Sequence, residues 1–97
     1  MPVSILSRWT AKQEDVLRIG RRVRSLYQRH GAEMRVGQIF TGPNAGQFLA
    51  AARFPDWETC GKAMQAMSAD AEYQSLMAEA HQVAELHGRS IVVSLDL

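Results

Sequence analysis

Arg53–Ala80 reads R-F-P-D-W-E-T-C-G-K-A-M-Q-A-M-S-A-D-A-E-Y-Q-S-L-M-A-E-A, and this stretch decides the architecture. Pro55 stops the extended chain before it, because it lacks the N–H a ladder needs. Asp56 follows as an acceptor for the free amides of a helix's first turn. Trp57, Cys60, Ala63, Met64 and Met67 then recur at three- and four-residue steps, which predicts one buried stripe. Ser68-Ala69-Asp70 offers a second cap. Tyr73, Leu76, Met77, Ala80 and Val83 resume the stripe on a shifted phase, so the segment is two short amphipathic helices joined head to tail.

Working outward, Glu33–Thr41 and Gln47–Phe54 both alternate, and Gly42-Pro43-Asn44-Ala45-Gly46 between them is turn chemistry. The two form an antiparallel hairpin. Ala50, Ala51 and Ala52 are individually poor strand formers, which points to a bulky element, most simply a helix, packing close to that surface. Val3–Thr10 is a further strand, with Val3, Ile5, Ser7 and Trp9 on one face. Between it and the hairpin, Val16, Ile19, Gly20, Val23, Leu26, Tyr27 and His30 mark a long helix that closes at Gly31. After Gly88, Ser90–Leu97 alternates as a last strand.

The order is β-α-β-β-α-β, which predicts a single α+β domain over residues 1–97: a four-stranded antiparallel sheet with helices on one face. The other face is the difficulty. Leu6 opposite Ile5, Ile39 opposite Phe40, Leu49 opposite Phe48 and Val92 opposite Val93 make both faces partly apolar, so a second copy of the chain is the expected cover. A homodimer through the sheet face follows.

Composition excludes several classes. Eleven basic against ten acidic residues leave a net charge of +1 and no global field to attract nucleic acid or an acidic membrane. No segment approaches the roughly 20 apolar residues of a membrane span, and the first residues lack the pattern of a secretory leader, so a soluble cytoplasmic protein is expected. Cys60 has no partner for a disulfide or a metal-binding pair and sits at a core position.

At this point the chain resembles the dimeric α/β-barrel superfamily of ferredoxin-like domains, which includes the antibiotic-biosynthesis-monooxygenase-like and NIPSNAP-like families. The similarity spans nearly the whole chain and is most specific at F-P-D-W-E-T-C-G-K-A-M and S-A-D-A-E-Y-Q-S-L-M. The resemblance implies a homodimer in which two sheets face each other, and a ligand pocket between each sheet and its own helices. It implies no single activity.

The candidate ligand-binding residues are Trp9, Arg53, Trp57, Tyr73 and His81, the polar or aromatic side chains expected nearest that cleft. If Arg53 closes the third strand, it and Trp57 flank the cleft and can hold an anionic or planar molecule by charge-assisted bonds and stacking. The plainer alternative is a surface arginine lying over a core tryptophan. His81 and His87 are six residues apart, which suits no helical metal site, and no metal or other cofactor is expected. Cys60 has no base at a fixed spacing, and the glycine-rich turn lacks the lysine and the following helix of a phosphate loop.

RNA-recognition domains share this element order. They read bases with aromatics on the central strands, where this chain has Ile5-Leu6 and Phe48-Leu49-Ala50, and the arginines Arg18, Arg21 and Arg22 lie on a helix, expected as a solvated face. The expected function is therefore binding of a small apolar or aromatic organic molecule, with cofactor-independent monooxygenase-like chemistry as one outcome and a non-catalytic binding or oligomerisation module as the alternative.

Overall fold

The computed structural model describes all residues 1–97. The elements run β1 (Val3–Ala11), α1 (Gln13–Arg29), β2 (Glu33–Gln38), β3 (Phe48–Phe54), α2 (Trp57–Ser68), α3 (Ala71–Val83) and β4 (Ala84–Val93). The four strands form one sheet in the order β2-β3-β1-β4, with every neighbouring pair antiparallel. This is the expected ferredoxin-like arrangement, its second helix divided in two.

The division has a local cause. Asp56 accepts from the Thr59 amide at 2.7 Å, and Asp70 accepts from the amides of Glu72 at 2.8 Å and Tyr73 at 3.4 Å. Each carboxylate satisfies donors that a helix start leaves free, so α3 begins anew instead of continuing α2. Gly31 ends α1 with φ +86°, and a Cβ there would sit 3.1 Å from Thr59 Cγ2. Both the left-handed backbone and the close approach of α2 therefore favour glycine.

Alternation sorts the sheet. Val3 and Ile5 of β1, Ala52 and Phe54 of β3 and Met34 of β2 turn inward, and with Ile19, Val23, Leu26 and Tyr27 of α1 they make most of one core. Cys60, Ala63 and Met67 of α2 and Leu76 and Ala80 of α3 complete it. The arginine-rich face of α1 is tied down. Arg18 and Arg22 both bind Glu79 of α3, the latter at 2.9 Å, while Arg29 binds Glu72 at 2.8 Å. Hydrogen bonds from Arg18 and Arg22 hold the Glu79 carboxyl below the usual carboxylate range. These arginines register α3 on α1, which the helical periodicity of a single segment does not disclose.

Three expectations need correction. The last strand is Ala84–Val93, not Ser90–Leu97: Ala84, Glu85 and Leu86 pair with Ala11, Thr10 and Trp9, so β1 recruits a polar stretch through long-range pairing. A register shift between Arg8 and Trp9 leaves His87 unpaired in the ladder. Strand β2 stops at Gln38, three residues short of Thr41. Trp57 and Met64 do not join the buried stripe of α2; they are 56% and 38% exposed. Trp57 occupies the first helical position, beyond the edge of what β3 and α3 cover.

Candidate functional site

The inner face of the sheet has a low row. Strand register sets Val36, Ala50, Ser7 and Arg89 side by side across β2, β3, β1 and β4. The neighbouring row, Gln38, Phe48, Trp9 and Leu86, is much bulkier. Two tiny side chains at the centre of the sheet leave the helices unable to fill the space above them, and a cavity of about 230 Å³ lies there between the sheet and helices α1 and α3. Its volume sits just below the ~300–1,000 Å³ range of drug-sized sites, which suits a molecule of one or two rings.

The walls are mostly apolar, with a few polar groups at defined places. Tyr27 and Tyr73 meet edge to face, ring centroids 6.4 Å apart, and Tyr27 also packs 6.4 Å from Phe54. Burial, helped by the neighbouring Tyr73, pushes the Tyr27 hydroxyl well above its ordinary value of 10.0. It is therefore a neutral hydroxyl throughout the physiological range. The Trp9 indole lies 5.4 Å from the His81 ring and donates from Nε1 to Ser7 Oγ at 2.8 Å. That bond joins two residues on the same face of one strand, and it fixes the indole as a wall of the cavity.

Arg89 is the one full positive charge among the lining side chains. Its guanidinium has no ion-pair partner in the chain, whereas Asp15, the lining carboxylate, is engaged by Arg18 at 3.0 Å. The field of Arg89 reaches the Tyr27 hydroxyl and the Cys60 thiol, opposing the upward push that burial gives both. No cluster of three metal-ligating side chains occurs, and His87 turns to the outer face, where Nε2 lies 2.6 Å from Thr10 Oγ1.

Of the five residues expected around the cleft, Trp9, Tyr73 and His81 line this cavity. Arg53 and Trp57 do not. Arg53 stands opposite Ser4 and Glu33 on the sheet face away from the helices, because its neighbours Ala52 and Phe54 claim the inner face. Trp57 projects from the start of α2 into solvent. Tyr27, Arg89 and the small floor residues were not singled out from sequence. Arg89 is hidden by the misplaced start of β4, whereas the alanine run is a partial sign: Ala50 and Ala52 turn to the cavity, where their short side chains leave space below the helices.

SnoaB from Streptomyces nogalater, described as a cofactor-independent oxygenase, superposes in its N63A form with a TM-score of 0.75 at 11% identity, over 99% of this chain and 95% of that one. A NIPSNAP family protein from Agrobacterium tumefaciens gives 0.70 at 9% identity over 99% and 95%. A second A. tumefaciens protein, described as a NIPSNAP family member with unknown function, gives 0.68 at 12% identity over 94% and 86%. The chain has the ferredoxin-like fold of these proteins. No protein-family model matches the sequence, and none of the curated proteins does. At these identities the likeness fixes the fold, and the function has to be argued from the site. No helix is long and apolar enough to cross a membrane.

Proposed function

We propose that the sheet–helix cavity binds a small, apolar or aromatic organic molecule that carries an anionic group. The observation that carries this reading is Arg89, an unpaired cation on the rim of a space lined mostly by apolar and aromatic side chains, whose one carboxylate, Asp15, is already engaged by Arg18. A guanidinium beside an apolar hollow gains most from a carboxylate, phenolate or enolate whose remaining atoms fill the hollow. Trp9, His81, Tyr27 and Tyr73 supply ring faces and edges, and the two tyrosine side chains carry hydroxyl groups able to donate or accept.

Naphthalene-2-carboxylate and the neutral 2-naphthalenemethanol are suitable probes of this charge preference. The wild-type chain is expected to prefer the acid, and Arg89→Met to weaken acid binding about tenfold while leaving the alcohol within about twofold, the size expected for one partly exposed charge-assisted bond. Equal losses for both probes in isothermal titration calorimetry would mean that Arg89 shapes the cavity and does not read charge.

The fold shared with SnoaB suggests the chemistry to assay, oxygenation without a cofactor. A non-catalytic binding module is favoured by a specific feature: no carboxylate binds the His81 ring to orient it as a general base. Oxygen uptake with 1,8-dihydroxynaphthalene separates the two, since sustained uptake supports the oxygenase and binding without uptake supports the module. For assembly we propose that two copies associate through the outer sheet face, where Leu6, Leu49, Ala51 and Val92 form an apolar centre with no helix over it.

A further inference from the structure

Gly20 is an expensive residue in its position. It lies in the middle of the seventeen-residue helix α1, where glycine is disfavoured relative to alanine because it surrenders more backbone freedom. Nothing in the backbone requires it: Gly20 is not among the glycines with positive φ, and a Cβ built on it meets no atom within 4 Å. The residue is half-buried and lines the cavity from the helix side. What its missing side chain provides is height in the roof.

The floor is cut back in the same way. Ala50 and Ser7, adjacent across β3 and β1, line the cavity from below, and no side chain longer than two heavy atoms rises from the centre of that row. Roof and floor are thus stripped together, while the ends remain tall: Trp9 and His81 at one, Tyr27 and Tyr73 at the other. Between Val16, Ile19 and Val23, which also line the cavity from α1, Gly20 bares the helix backbone over these small side chains, and with ring systems at its ends the space there is a slot.

We infer that Gly20 is the specificity-determining residue of this site, setting a slot height that admits a flat conjugated ring system and refuses a saturated, puckered one of the same outline. This rests on the binding-site reading given above and narrows its ligand class. Flat rings gain dispersion contact with both surfaces at once, whereas a puckered ring must either part α1 from the sheet or forfeit contact on one side.

The test uses naphthalene-2-carboxylate and its fully saturated counterpart, trans-decalin-2-carboxylate, which share an outline and a charge but differ in thickness. Wild-type chain is expected to bind the flat acid at least about tenfold more tightly, by isothermal titration calorimetry. Gly20→Leu should weaken the flat acid by at least about thirtyfold, since added methylenes enter the slot. Gly20→Ala, which clashes with nothing, should weaken it severalfold while raising the melting temperature by about 3–6 °C through helix propensity. Gain of stability with loss of ligand is the signature that a purely structural glycine would not give. Equal wild-type affinities for the two acids, or an unchanged flat-acid affinity in Gly20→Ala and Gly20→Leu, overturn the slot while leaving the binding site standing. Failure of the wild type to bind either acid removes both.

Discussion

Leu6→Arg is expected to convert the proposed homodimer to monomers, weakening self-association by on the order of 10²-fold or more. Leu6 is central on the outer face of the sheet, flanked by Ala51 of β3 and Ser90 of β4, with Leu49 and Val92 on the same face and 36% and 44% exposed. A guanidinium there would be buried against its symmetry mate on a face that already carries Arg8, Arg35 and Arg53, and an uncompensated buried charge costs about 3–5 kcal/mol. The substituted residue points away from the core of Val3, Ile5 and Phe54, so the far-ultraviolet spectrum should stay unchanged. Sedimentation equilibrium at micromolar concentration checks the outcome. Wild-type monomer, or a Leu6→Arg dimer of undiminished affinity, would place the contact elsewhere.

Phe54→Ala is expected to destabilise the fold by about 3–5 kcal/mol, the range for emptying a buried phenylalanine site. Phe54 is fully buried at the end of β3, with Val3 beside it in the sheet and the Tyr27 ring 6.4 Å away. Its neighbours come from β1, β3 and α1, so a partial collapse of one element cannot refill the space. For a domain this small, a loss of that size is a large part of total stability, and urea denaturation should show a midpoint lower by about 1.5–2.5 M at an unchanged slope near 2 kcal/mol/M. A drop under 1 kcal/mol would show that the core does not depend on this ring.

These residues also show where sequence was informative. Alternation in β1 and β3 put Val3, Ile5, Phe48 and Phe54 on one face, and the capping pairs Pro55-Asp56 and Ser68-Asp70 located both helix starts, because each of those signals is local. Strand β4 was misplaced because its first half is polar, Glu85 to Ser90, and is extended only by pairing with β1 more than seventy residues away. That error concealed Arg89. Arg53 and Trp57 drew notice as a charged and an aromatic residue near an expected cleft, but which face a strand residue takes depends on register, and which side of a helix is covered depends on its neighbours. The cavity itself is legible only in outline: small residues at Ser7, Ala50 and Gly20 come from three elements, and no one-dimensional pattern reports that they meet.

Occupation of the space between sheet and helices by a small molecule can be read from the two tryptophan indole signals in a proton–nitrogen correlation spectrum. Trp9 lines the cavity with its N–H bonded to Ser7, and Trp57 stands in solvent at the start of α2, so the pair forms an internal control. Titration with naphthalene-2-carboxylate should move the Trp9 indole signal saturably and leave that of Trp57 in place. Movement of Trp57 alone, or of neither signal at millimolar acid, would contradict the account.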